Sequence, residues 1–367
     1  MRQLLFGLVA VSATGALAGG IDRSGQPVSL IFREGNYAEV ALGYWTPDVR
    51  GTDQFGTASG NAYGNMTDFG FGVKKDFGPQ FSAALVVDQP WGVNLGYPAG
   101  SFAYGGTFAD AWSLGVTGLV RYKIDERVSL VGGLRATDLD GHVGLSGPAF
   151  GPLAGYDWKG DRDWGLGYVL GAAYEIPAIA LRIALTYSSE TKHELDSREV
   201  LPLAVGGMVV GSRTEVVMPQ SVNLDFQTGV AADTLVYGGV RWVNWEGWTV
   251  APEGLMEITG LPLVQFENDT FTYKLGIGRQ ITERVSAAFE VSHETAKNDD
   301  KSALEPYDGY TAVALGGTYA FPSGLDLTGA VSYNFLGNAP EVVENGVSAS
   351  FEDNRALAVA VRVGWRF

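Results

Sequence analysis

The chain has 367 residues, a formal net charge of −16 and no cysteine. Without thiols it has neither a disulfide framework nor a thiolate metal site, and its acidity disfavours a nucleic-acid partner, which needs a basic face. Glycine (51 residues) and aromatic side chains (12%) are plentiful, which suits many strands joined by turns.

The first element reads as a secretory signal over residues 1–18. Arg2 supplies the charged start, Leu4 to Val11 the apolar run, and Ala16-Leu17-Ala18 a small-residue cleavage site, so the mature chain is expected to begin at Gly19. After residue 20 no apolar run approaches the roughly 20 residues of a membrane helix. A membrane crossing must then use strands, closed so that no backbone edge meets lipid.

Period-two alternation recurs along the remaining chain. It predicts about fourteen strands, near 36–50, 64–75, 79–88, 106–124, 127–141, 163–176, 180–193, 217–230, 234–246, 269–279, 284–296, 308–320, 325–336 and 355–367. In the sixth, Trp164, Leu166, Tyr168 and Leu170 share one face, and Gly165, Gly167, Val169 and Gly171 the other. In the last, Leu357, Val359, Val361, Val363, Trp365 and Phe367 oppose Ala358, Ala360, Arg362, Gly364 and Arg366. Short turns (76–80, 125–127, 177–179, 231–233, 280–283, 322–324) alternate with long loops (51–63, 89–105, 142–162, 194–216, 247–268, 297–307, 337–354). Large apolar side chains outward, small or polar ones inward, and loops sorted by length describe an all-β transmembrane antiparallel barrel of about 14 strands in an outer membrane. Tyr44, Trp45, Trp112, Tyr122, Trp164, Tyr174, Tyr187, Trp365 and Phe367, near strand ends, are expected to form its interfacial girdles.

Within this plan, "VVDQPWGV" falls at the end of the third strand, where Pro90 lacks a backbone donor and Gly92 weakens a ladder, so it either breaks the wall or simply starts the outer loop 89–105. The loop "LPLAVGGMVVG" (201–211) faces outward yet is apolar throughout, as a ligand-binding patch would be. Its Met208 suits varied ligand shapes. Folding of this loop onto 147–158 is the competing explanation. The inward face carries Arg121, Lys123, Arg135, Arg182, Arg241, Lys274 and Arg362 with the acids Asp225, Glu290 and Asp326, a mixed lumen in which mutual pairing is the rule. Arg135 and Arg241 are the first choices for a carboxylate site. His142, His193 and His293 stand on separate segments without metal-ligand spacing, and no Ser/His pair suits hydrolysis, so no enzyme, cofactor or resident metal is expected. His142 and His193 are expected at the outer ends of the fifth and seventh strands, beside the apolar loops. Asp299 and Asp300 read as loop solvation, or as a divalent-ion bridge to lipopolysaccharide.

Four stretches taken together resemble the FadL/TodX family of outer-membrane long-chain fatty acid and hydrophobic-compound transporters. "WGLGYVLGAAYEI" with "LRIALTYSSETKHEL" is similar to the family's central hairpin. "VMPQSVNLDFQTGVAADTLVYGGVRWVNW" and "VRYKIDERVSLVGGLRA" resemble two further hairpins, and the terminal Phe367 matches its aromatic end.

The resemblance implies a lumenal hatch, here 19–35, ahead of a barrel over 36–367. It implies a kink in the third strand that opens the wall sideways, which would make Asp88, Gln89, Pro90, Trp91 and Gly92 a lateral gate. It implies a capture groove between two outer loops, here drawing on Phe150, Leu153, Leu201, Leu203, Val205, Met208 and Val209. A lumen pocket near the hatch would include Ile31, Phe32, Arg135 and Arg241. The hatch is shorter than the family's and lacks its Asn-Pro-Ala signature, and Asp140 falls where the family carries an arginine on strand five.

The expected function is therefore passive uptake of long-chain fatty acids or other hydrophobic molecules by a monomer, embedded among outer-membrane lipid and lipopolysaccharide of a Gram-negative bacterium. A general diffusion porin, an aromatic-hydrocarbon channel and a surface adhesin are the alternatives.

Overall fold

The computed structural model describes residues 21–297 and 300–367. The expected signal 1–18, Gly19 and Asp299 lie outside the described residues.

Fourteen antiparallel strands close into one barrel. They are β1 (Tyr37–Asp48), β2 (Met66–Phe77), β3 (Phe81–Asp88 and Gly92–Gly96), β4 (Phe108–Trp112 and Gly115–Lys123), β5 (Val128–Leu145), β6 (Tyr156–Ile176) and β7 (Leu181–Ser188 and Thr191–Val200). They continue as β8 (Val209–Met218 and Ser221–Ala231), β9 (Thr234–Val243), β10 (Thr270–Gln280), β11 (Val285–Glu294), β12 (Tyr310–Ala320), β13 (Leu325–Leu336) and β14 (Arg355–Arg366). Closure comes from β1, which pairs with β14 from Tyr37↔Arg366 to Asp48↔Arg355 and with β2 from Tyr37↔Lys74 to Trp45↔Met66. A closed ladder leaves no backbone edge to lipid, the condition for crossing a bilayer with strands.

The alternation points as expected. Leu357, Val359, Val361 and Trp365 on β14 are 44–51% exposed, while the intervening Ala356 and Ala358 are 1% exposed. Leu166 on β6 reaches 79%. A water-soluble protein would bury such a wall of leucine, valine and tryptophan; hydrocarbon covers it instead. Trp45 is an exception to the expected girdle, since it turns inward and is buried.

Several strands run farther than alternation suggested. β6 begins at Tyr156 and β7 continues to Val200, so much of the expected loops 142–162 and 194–216 is strand. His142 and His193 consequently lie within β5 and β7 rather than at their ends. In Thr191–Val200 the sense of the alternation inverts, with Thr191, His193, Leu195 and Ser197 buried and Lys192, Glu194, Asp196 and Arg198 exposed. Strands that rise past the membrane meet water on their outer face, so their apolar side turns in.

Loops from β1–β2 and β13–β14 combine into a four-stranded sheet over the long-loop end, ordered Ala339–Glu344, Val347–Phe351, Arg50–Asp53, Ala58–Asn61. The loop after β9 carries a short helix, α1 (Glu253–Thr259). Two buried clusters fill the interior. One, at the long-loop end, is rich in aromatics such as Trp91, Trp158 and Trp245. The other packs Val28, Leu30, Ile31 and Phe32 against Leu119, Val131 and Val169 of the wall.

Candidate functional site

The outer halves of β3 to β8 and the loop after β9 enclose an apolar cavity of about 90 Å³. Ala109, Leu139, Trp158, Leu195, Val216, Met218, Trp248 and Phe266 line it, and Ile21 from the N-terminal segment forms part of its boundary. Its charged lining residues are Asp110, Asp140 and Glu305, with no lysine or arginine among the described lining residues; Glu305 pairs with Lys297 and Lys301, and Asp140 with Arg162, just outside it. An apolar space of this order accepts a small hydrocarbon: a dry engineered cavity of about 150 Å³ binds benzene.

Aromatic rings lead away from the cavity. Trp248 and Phe266 stand 5.0 Å apart, each beside Trp245 (5.4 and 5.3 Å), and Trp245 meets Trp91 edge to face at 5.6 Å. Trp91 lies in the interruption of β3. Such rings present a continuous apolar surface from the cavity to the break, and the one charge against it, Lys297 Nζ 3.6 Å from the Phe266 ring centroid, is paired with Glu305.

The wall opens at that interruption. β2 and β3 pair from Phe77↔Phe81 up to Phe71↔Val87 and then part, although β2 continues beside β1 to Met66. Beyond the break, Gly92–Gly96 pairs with Phe108–Trp112 of β4, which in turn pairs with β5. The chain entering β2 rejoins β3 higher up, where Gly64 N–H donates to Asn94 O (3.0 Å) and Gly96 N–H to Ala62 O (2.7 Å). The result is a window flanked by residues 65–70 and 88–93. Proline is the physical cause: Pro90 cannot donate across to β2, and pairing resumes only at the Tyr63↔Leu95 bridge above the window. Ser113, in the matching gap of β4, accepts from Trp91 N–H (2.8 Å) and donates to Trp91 O (2.7 Å), fixing the break in place.

Toward the short-turn end the lumen is blocked. Phe32 lies between the guanidinium groups of Arg121 (4.9 Å) and Arg182 (5.1 Å), and Ile31 is fully buried. Tyr37 Oη donates to Asp326 (2.9 Å), which also faces Arg362 (3.7 Å). Ile31 and Phe32 thus pack in a plug far from the cavity's lining, and do not wall it as expected. Arg135 on β5 and Arg241 on β9 are both buried, and neither lines the cavity. Arg241 Nε donates to Asp22 (2.7 Å) and Nη1 to Ser221 (3.1 Å) and Asn223 (3.1 Å). Arg135 Nε donates to Thr117 (2.8 Å), while its two terminal nitrogens have no hydrogen-bond partner among the described residues.

The expected capture residues separate into two groups. Phe150 and Leu201 belong to the buried cluster, and Leu153 and Val205 pack against it. Leu203, Met208 and Val209 remain exposed, at 92%, 52% and 60%. Exposed Met256, Ile258 and Leu261 belong to the neighbouring α1 loop, which sequence reading left without a role. Glu199 pins that loop: it is fully buried and accepts from Tyr156 Oη (2.9 Å) and from the Gly254 and Leu255 N–H groups (2.8 Å each). The cavity itself was missed because its residues come from many segments far apart in the chain. The inverted alternation above the membrane was the signal that could have found it.

The family model described as outer membrane protein transport protein (OMPP1/FadL/TodX) matches residues 36–363. Solved structures share the fold at low identity. A Pseudomonas aeruginosa FadL homologue superposes with a TM-score of 0.76 at 15% identity, covering 96% of each chain. The P. putida toluene transporter TodX gives 0.67 at 12% identity, covering 93% of this chain and 92% of that one. The Ralstonia pickettii toluene transporter TbuX gives 0.63 at 16%, with the same coverage. No curated protein matches the chain.

Proposed function

Because the chain belongs to the OMPP1/FadL/TodX family of outer-membrane transport proteins, we propose that it takes up small, neutral hydrophobic molecules of about monoaromatic size and releases them sideways into the outer leaflet. The protein is a transport channel of the Gram-negative outer membrane, not an enzyme. Substrate lands on the exposed apolar ledge of Leu203, Met208 and Val209, enters the cavity, and follows the tryptophans to the window at 88–92. Asp88, Gln89, Pro90, Trp91 and Gly92 form the gate in this reading. The barrel works as a monomer, with its greasy wall in lipid and the charged rim of Lys192, Glu194 and Arg213 among lipopolysaccharide.

The observation that carries this reading is the small apolar cavity whose charged lining is acidic only. A carboxylate entering it would lose its hydration without gaining a lining cation, whereas a neutral guest loses nothing there. A second reading, a fatty-acid substrate, is favoured by the unpartnered guanidinium of Arg135, which suits an anion deeper in the lumen.

The two separate in one uptake experiment, with the protein expressed in a Gram-negative host lacking its own hydrophobe channels. Toluene accumulation well above the empty host, with little for oleate, is the expected result. Oleate uptake that Arg135→Gln abolishes, without toluene uptake, overturns the neutral-substrate reading.

A further inference from the structure

The window in the wall is filled by the chain's own N-terminal segment, and we propose that the Arg23–Asp68 ion pair is the latch that holds it shut. Residues 21–23 add one rung of antiparallel ladder to β3 at its break. Arg23 N–H donates to Pro90 O and Gly92 N–H to Ile21 O, both at 2.9 Å, and Asp22 stands opposite Trp91. Successive side chains of an extended segment point to opposite faces. Asp22 accordingly reaches across the lumen to Arg241 Nε on β9 at 2.7 Å. Arg23 turns the other way and spans the window to β2. There its Nη2 meets Asp68 Oδ1 at 2.6 Å and the Thr67 carbonyl at 3.4 Å.

The site is built for that crossing. A Cβ on Gly92 would stand 3.0 Å from both Arg23 Cδ and the Ala111 carbonyl oxygen, so glycine leaves the arginine room that a larger residue would crowd. Arg23 is 7% exposed and Asp68 23%, and a pair so removed from water is screened far less than a surface pair. A second tie is weaker: Gln89 Oε1 accepts from Phe69 N–H at 3.0 Å. Gly25 and Gln26 both adopt positive φ (64° and 51°), a tight reversal that ends the rung and is anchored to β8, where Ser221 Oγ donates to Gln26 Oε1 (2.8 Å) and Asn223 Nδ2 to Gly25 O (3.2 Å). Gly25 is the residue that reversal favours, because it has no Cβ to strain. Ile21 borders the cavity, so displacing residues 21–23 inward joins cavity to window.

The inference rests on the lateral route proposed above, and its test keeps the two apart. Full-length protein carrying Arg23→Glu, Asp68→Lys, or both together is prepared in detergent and in the host outer membrane, with Arg23→Lys as the conservative control. Heat-modifiable gel migration confirms closed barrels. Hydrogen exchange of the Gly92 amide reads the latch, and toluene accumulation reads transport. Each single variant is expected to speed Gly92 exchange at least about tenfold and to raise toluene entry, while the double swap and Arg23→Lys restore both toward wild type. Unchanged exchange in the single variants overturns the latch, as does a double swap that behaves as the sum of its parts. Faster exchange with unchanged toluene entry supports the latch and overturns the lateral route.

Discussion

Ala109 offers the sharpest perturbation of the cavity. It lies on the outer segment of β4, opposite Leu95 of β3 and Val143 of β5, and its methyl faces the free space. A seven-carbon hydrocarbon held there gains about 0.8 kcal/mol per buried carbon group, or roughly 5–6 kcal/mol before the cost of immobilisation. Ala109→Val adds two carbon groups and displaces about two of the ligand's, a loss of about 1.6 kcal/mol and roughly 15-fold in affinity. Ala109→Phe occupies most of the 90 Å³ and should abolish binding. Overpacking costs about 1–3 kcal/mol, which a barrel held by fourteen hydrogen-bonded strands can absorb. Titration calorimetry with toluene on detergent-solubilised protein measures the series. Wild-type affinity in Ala109→Phe, with the barrel intact by heat-modifiable migration, would refute the assignment of the cavity as the binding site.

Two further outcomes follow from the long-loop end. Glu199→Ala leaves the Tyr156 hydroxyl and the Gly254 and Leu255 amides without their acceptor. At about 1–3 kcal/mol per orphaned buried donor, α1 should lose its exchange protection while the membrane-embedded strands keep theirs; retained protection at α1 would show that Glu199 does not hold it. Glu344, on the capping sheet, has its carboxyl pushed above the ordinary range by burial, against the lowering effect of the Ala303 N–H that donates to it at 2.8 Å. A raised folded-state value means that the buried site holds the proton more tightly than the unfolded chain does, so Glu344 contributes stability that is present below the unfolded carboxylate range and lost as pH rises through the folded one. The stability of the capping sheet, read from exchange of its ladder amides corrected for the intrinsic rate, should therefore fall as pH rises through that window, and Glu344→Gln should flatten the dependence. An unchanged slope in the variant would contradict the assignment.

How far the fold could be read from the sequence depended on which solvent each residue meets. Where strands cross hydrocarbon, as in β14, large residues such as Val361 and Trp365 face out and the period-two pattern gives both strand and sense. Above the membrane the same period persists in Thr191–Val200 with its sense inverted, so a template that expects apolar residues outside reads loop where there is strand. The break at Pro90 was legible because proline's missing donor is a local property. Its filling by residues 21–23 was not, since Asp22 and Trp91 are far apart in the chain and share no pattern. Phe150 and Leu201 looked like an exposed capture surface because apolar loop residues carry no mark of what will cover them. The four-stranded cap over the barrel mouth depends on pairing between the first and last long loops, which only the closed barrel brings together.

The lateral route is tested most directly by tying the two sides of the window together. The chain has no cysteine, so Phe69→Cys with Gln89→Cys provides a unique pair across it. A reductant-cleavable bismaleimide can then join them, and a matching pair at the ladder partners Phe71 and Val87 serves as control. The account predicts that toluene entry stops in the joined protein, returns after cleavage, and is untouched in the control. Equal entry with the window joined and released would contradict it.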